Sequence, residues 1–143
     1  MTITYTHGDP LQTNASTLAF GYNAQGRIEV SQLVTRLLNI YPAAFAAFKK
    51  QCRAGVIKAG QYWIWRDAKP HLMFMVVRAS PVGATRLRYV QSVMLSLARD
   101  YQREGIQDIA ITALGSQYEW QEIKLIIETW LTRVTLPVIV YAE

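Results

Sequence analysis

Thr17-Leu18-Ala19-Phe20-Gly21-Tyr22 carries no charge and runs into Asn23-Ala24-Gln25-Gly26. A continuously apolar run of strand length, stopped by turn-forming residues, reads as a strand covered on both faces. Strands of that kind belong to α/β sheets, and such sheets bind ligands just beyond the carboxyl ends of their strands. Asn23 and Gly26 stand at that end. The chain then continues Arg27-Ile28-Glu29-Val30-Ser31, where a loop built to cradle phosphate would carry glycines. The stretch therefore points to a nucleotide-type cleft whose chemistry has been altered or lost.

Upstream, Ile3 to Tyr5 reads as a short strand closed by the turn Gly8-Asp9-Pro10. Downstream, from Val30, the apolar residues Leu33, Val34, Leu37, Leu38 and Tyr41 recur at helical spacing. Pro42 interrupts that helix and opens the next, Ala43 to Ala54, which Gly55 stops. Tyr62-Trp63-Ile64-Trp65 and Leu72 to Val77 are β-prone runs joined by Asp67-Ala68-Lys69-Pro70. After the loop Ser80-Pro81-Val82-Gly83, Thr85 is positioned to cap a helix with an inner stripe of Leu87, Val90, Met94, Leu97 and Tyr101. Ile109 to Leu114 is a buried-type strand stopped by Gly115-Ser116. A helix carrying Trp120, Ile123, Ile127, Trp130 and Leu131 follows, and Val138 to Tyr141 forms a last strand. Alternating strands and helices of this kind predict an α/β sheet with helices on both faces.

The composition narrows the class. With 143 residues, 51% of them hydrophobic and 17% charged, the chain suits one packed domain rather than a disordered segment. A net charge of +5 favours anionic partners, but the basic residues are scattered, as in a solvated surface. Cys52 is the only cysteine, which excludes an internal disulfide and any multi-cysteine metal site, and it reads as a half-buried structural thiol. The start, Met1-Thr2-Ile3-Thr4-Tyr5, lacks the charged and apolar regions of a signal peptide, and no apolar run is long enough to span a bilayer. A cytoplasmic protein with no membrane partner is expected. No H-E-x-x-H, G-x-S-x-G or Walker pattern occurs. His7 adjoins the Gly8-Asp9 turn without a visible acid or nucleophile to pair with, and His71 reads as a loop residue. Trp63 and Trp65 share one face of their strand, where packing against a helix is the default and stacking on a nucleobase the alternative.

The order of these pieces resembles a macro domain, the fold that binds ADP-ribose, and is most similar to the branch of terminal ADP-ribose protein glycohydrolases and DNA ADP-ribosyl glycohydrolase antitoxins. Gly8-Asp9 after the first strand carries it, with Asn23 and Gly26 after the second. So do Tyr41-Pro42-Ala43-Ala44-Phe45 leading to Lys49-Lys50 and Gly55, Leu114-Gly115 with Trp120 soon after, and the ending Val140-Tyr141. The resemblance covers the whole chain, residues 1–143, as a single domain. It implies a three-layer α/β/α fold with a mixed central sheet.

It also implies roles. Asp9 falls where the family accepts a hydrogen bond from the adenine amino group, a task that suits an acceptor-only carboxylate; the residues alone allow an Asx-turn instead. Asn23 falls where the family turns an amide to the distal ribose, while the local reading is a turn residue tolerating positive φ, followed by Gly26 for the same reason. Glu29 and Ser31 replace loop glycines. Facing inward, Glu29 would repel a diphosphate; otherwise it points to solvent or caps the next helix. The second loop keeps Gly115 and Ser116, of which Ser116 either donates to a phosphate or caps the following helix with Glu119 as its third-position partner.

Two departures bear on catalysis. Arg78 falls at the branch's catalytic lysine, and a guanidinium cannot lose its proton in a protein, though it can clamp a phosphate bidentately. Ser116 falls at the catalytic aspartate. No catalytic residue, cofactor or metal site is therefore expected. The sequence predicts a protein that binds ADP-ribose or a related nucleotide without hydrolysing it, through Asp9, Asn23, Gly26, Arg78, Gly115 and Ser116. Its partners would be the nucleotide and ADP-ribosylated protein or DNA. Two alternatives stand beside it: a hydrolase that uses His7 or a glutamate of the last helix, and a scaffold domain with a degenerate site.

Overall fold

A computed structural model describes residues 2–142. Six strands form one sheet in the order β1-β6-β5-β2-β4-β3: β1 (Ile3–Thr6), β2 (Thr17–Asn23), β3 (Tyr62–Trp65), β4 (His71–Arg78), β5 (Ile109–Ile111) and β6 (Val138–Tyr141). All neighbours are parallel except β3, which pairs antiparallel with β4 along the edge. The helices are α1 (Gln32–Ile40), α2 (Pro42–Arg53), α3 (Leu87–Asp100) and α4 (Trp120–Leu131).

The strand sequences dictate two cores, because successive side chains point to opposite faces. Along β4, Leu72, Phe74 and Val76 join Leu18, Phe20 and Tyr22 of β2 beneath α1 and α2. The intervening Met73, Met75 and Val77 pack with Val90, Met94 and Leu97 of α3 and Ile123 and Ile127 of α4. The first core is aromatic: Phe48 stacks on Phe74 at 4.3 Å between centroids, and Tyr22 meets Phe45 edge to face at 5.5 Å. Each fully buried ring of this kind contributes about 2–3 kcal/mol through lost apolar surface. Trp63 joins it, 5.8 Å from Phe48, so β3 packs this tryptophan against α2.

Helix boundaries follow from their caps. Ser31 starts α1, its Oγ accepting from the Val34 amide at 3.3 Å. Pro42 occupies the first turn of α2, where its missing N–H costs nothing. Among the described residues no helix is long and apolar enough to cross a membrane.

Some sequence expectations shift. β5 ends at Ile111 instead of running to Leu114: Thr112 still gives its amide and hydroxyl to the Ala19 carbonyl of β2, at 3.1 and 3.0 Å, and Ala113 and Leu114 lie beyond the strand. Thr85 does not cap α3; its hydroxyl goes to the Leu114 carbonyl at 2.8 Å, and Arg86 takes the cap position without a side-chain bond. Leu87 is exposed and Val93 completes the inner stripe. His71 opens β4 rather than lying in a loop.

Candidate functional site

Five parallel strands end on the same side of the sheet. The chain leaves β2 towards β4 on one side and β5 towards β6 on the other, so a crevice opens where the winding reverses. There a cleft of about 980 Å³ is lined by the last residue of β4 (Arg78) and by residues following β1 (His7, Gly8), β2 (Glu29) and β5 (Gly115, Ser116), together with the first turn of α1 and Glu119. That volume lies at the upper end of the range typical of small-molecule sites.

Arg78 and Glu29 make the floor. The Arg78 Nε donates to Glu29 Oε1 at 3.3 Å, and Nη2 lies 3.2 Å from the same oxygen. Arg78 Nη1 reaches Thr85 Oγ1 at 3.3 Å and the Leu114 carbonyl at 3.4 Å. The guanidinium thus ties the loops after β2, β4 and β5 together. Gly21 permits this, since a Cβ there would stand 3.1 Å from Arg78 Nη2. Glu29 faces inward, only 8% exposed. Burial pushes its carboxyl above the usual carboxylate range, against the opposing pull of the Asn23 hydrogen bond and the Arg78 charge.

Asn23 stands behind this floor, fully buried. Its Nδ2 donates to the Arg27 carbonyl at 2.8 Å and to Glu29 Oε2 at 2.9 Å, and its Oδ1 accepts from the Gln25 and Arg27 amides at 3.1 and 3.2 Å. The amide is fully used by the loop it starts. Its backbone is not in the positive-φ region, which among the described residues only glycines occupy. Gly26 does have φ +69°, and a Cβ there would come within 2.9 Å of the Lys49 Cα, so this turn seats directly on α2.

Asp9 lies at the rim. Its Oδ1 accepts from the Leu11 amide at 3.0 Å, closing an Asx-type turn, and both carboxylate oxygens accept from Arg36 of α1, at 3.0 and 2.8 Å. The Arg36 hydrogen bond, followed by that of Leu11, holds its carboxyl below the usual range. Of the six sequence-predicted residues, Arg78, Gly115 and Ser116 line the cleft, Asp9 flanks it between the lining residues Gly8 and Pro10, and Asn23 and Gly26 lie outside its lining. Of the remaining candidates, His7 lines the cleft, while His71 sits at the opposite, amino-terminal end of its strand.

At the β5–α4 loop, one glutamate oxygen gathers two donors. Glu119 Oε1 accepts from the Ser116 amide at 2.8 Å and from the Ser116 hydroxyl at 3.0 Å. Half of the expected capping box forms; the serine hydroxyl turns to the glutamate instead of a helix amide, and α4 starts only at Trp120. Sequence reasoning passed over Arg36, which lines the cleft. The available signal was that it is the one charged residue in Gln32–Ile40.

Comparison with solved structures identifies the fold as that of a macrodomain, as the resemblance implied. The macrodomain of Thermus aquaticus DarG superimposes with a TM-score of 0.89 at 20% identity, covering 99% of this chain and 98% of that one. The macrodomain of Mycobacterium tuberculosis DarG gives 0.88 at 19% identity, over 99% and 97%. Thermosipho africanus DarTG, solved in complex with ADP-ribose, gives 0.87 at 18% identity over 96% of this chain and 40% of that one. At these identities the likeness establishes the three-layer α/β/α architecture. No protein-family model matches the chain, and no curated protein sequence matches it.

Proposed function

We propose that the cleft binds ADP-ribose or a closely related nucleotide and does not hydrolyse it. One observation carries this reading: an open cleft of about 980 Å³ crosses the carboxyl ends of five parallel strands in a macrodomain fold. The Thermosipho africanus structure, whose description names ADP-ribose, supports the choice of ligand. Asp9, at the rim beside Gly8, is the candidate acceptor for the adenine amino group. The loop of Gly115 and Ser116 is the candidate phosphate seat, and Arg78 shapes the floor on which the ribose and phosphates would rest. Asn23 and Gly26 serve from behind, holding Glu29 and the β2–α1 loop in place. ADP-ribosylated protein or DNA, met in the cytoplasm, would present the ligand.

Binding without hydrolysis rests on the same residues. Arg78 keeps its proton and spends its donors on Glu29, Thr85 and Leu114, so it offers no nucleophile. Ser116 carries no carboxylate. Hydrolysis is a second reading because His7 and Glu119 both line the cleft, where either residue type serves as general acid or base. Isothermal titration calorimetry with ADP-ribose, ADP and NAD tests the first reading: saturable heat with ADP-ribose supports it, and a folded protein giving no heat with any of them ends it. Incubation with ADP-ribosylated protein and DNA separates the second. Release of ADP-ribose that disappears in Glu119→Gln or a His7 variant would replace binding by hydrolysis.

A further inference from the structure

The two arginines lining the cleft are already matched. Arg36 is held bidentately by Asp9, and Arg78 is held by Glu29. Glu119 differs from both carboxylates, since among the described residues it has no cationic partner within salt-bridge distance. It takes instead the amide and hydroxyl of Ser116, both aimed at one oxygen. The loop lies close against that oxygen: a Cβ on Gly115 would stand 2.8 Å from Oε1, so a side chain there would push the carboxylate out of its present position. Gly115, Ser116 and Glu119 all line the main cleft. An amide N–H and a hydroxyl converging on one carboxylate oxygen form the arrangement a phosphate oxygen would seek, with charge-assisted hydrogen bonds to an anion.

We propose that Glu119 is the ligand-selecting residue of this cleft, a resident carboxylate that holds the Ser116 donors and must be displaced before an anionic ligand can use them. This deepens the ADP-ribose reading and rests on it for the identity of the ligand. Two consequences follow. A diphosphate meets both the loss of the Ser116–Glu119 bonds and the repulsion of a nearby like charge, so its affinity is held down. A neutral nucleoside meets neither, so the residue narrows the preference for charged over uncharged adenine ligands.

The test compares the wild-type protein with Glu119→Gln, which removes the charge, and Glu119→Ala, which removes the occupant. The probes are ADP-ribose, adenosine and inorganic pyrophosphate, followed by calorimetry and by the Ser116 amide resonance in ¹⁵N-correlated spectra. ADP-ribose is expected to bind Glu119→Ala about tenfold tighter, a change of about 1.4 kcal/mol, with Glu119→Gln in the same direction and adenosine unchanged. Pyrophosphate should move the Ser116 amide at lower concentration in both variants. Equal ADP-ribose affinity in all three proteins, with an unmoved Ser116 amide, would overturn the role of Glu119 and leave the nucleotide reading standing. Pyrophosphate moving that amide in the variants alone, with no ADP-ribose binding to any protein, would keep the role and end the nucleotide reading. A merely structural cap would lower the melting temperature in both variants and bring no gain in affinity, which also overturns the proposal.

Discussion

Arg78 stands where the macro-domain resemblance would put a catalytic lysine, yet its surroundings make it a brace. Its loss would leave the Glu29 carboxyl buried beside Asn23 alone, and an uncompensated buried charge costs about 3 kcal/mol. The pH dependence has a definite sign. Burial already raises the Glu29 pKa above its unfolded value, so this group favours the folded state below the unfolded value, about 4.3, and that contribution is lost as pH rises through the higher folded value. Without Arg78 the gap widens. Arg78→Ala is therefore expected to lose about 3 kcal/mol at pH 7 and clearly less near pH 4, as read from urea unfolding at both values. An equal loss at the two pH values would show that the ion pair is not the cause. Asp9 allows a second test, because the family role and the Arg36 tie lead to different results. Asp9→Ala is expected to weaken ADP-ribose about tenfold, the scale of one hydrogen bond to a charged acceptor. Unchanged or tighter binding in calorimetry would assign the carboxylate to Arg36 alone. These two residues also mark how far the sequence could be read. Asp9 was legible as a turn carboxylate because its Leu11 bond is local. Its partner Arg36 lies 27 residues away, and Glu29 lies 49 from Arg78; pairs set by topology leave no local pattern. The one available hint was a charged residue isolated at the end of an apolar strand or within an apolar helix.

Elements were more legible than pairs. Continuous apolar runs marked β2, β4 and β6 to within a residue or two, since a strand covered on both faces has no polar position to blur its ends. β5 was read too long because Ala113 and Leu114 are apolar in sequence but leave the ladder, with Leu114 buried and its carbonyl serving Thr85 and Arg78. Thr85 departs for a related reason: its spacing suits a cap, but its hydroxyl donates to the Leu114 carbonyl and accepts from Arg78 Nη1 instead of from a helix amide. The β2–α1 loop shows how an element boundary depends on one backbone conformation. Gly26 combines φ +69° with a site where an added Cβ would stand 2.9 Å from the Lys49 Cα of α2, so alanine there is strained both in dihedral and in space. Gly26→Ala is expected to cost about 2 kcal/mol, measured by urea unfolding. A loss within experimental error would mean that the loop lifts off α2 without penalty, and with it the placement of Glu29.

Across the whole molecule, the sheet holds two unlike cores, one rich in aromatic rings under α1 and α2 and one aliphatic with methionines under α3 and α4. Both end at the cleft, so the cleft is the seam where the loops of both layers meet, braced by Arg78. This arrangement explains why the three-layer fold could be read from alternating elements while the inside of the cleft could not. Strands and helices follow from periodicity, but the direction in which a loop carboxylate points depends on neighbours brought in by the other layer. The most direct test of the account is a ¹⁵N-correlated titration of the protein with ADP-ribose. Binding in the cleft predicts saturable shifts concentrated at Gly8, Glu29, Gly115 and Ser116. Saturation with no response from those four amides, or no response anywhere from a folded protein, would contradict it.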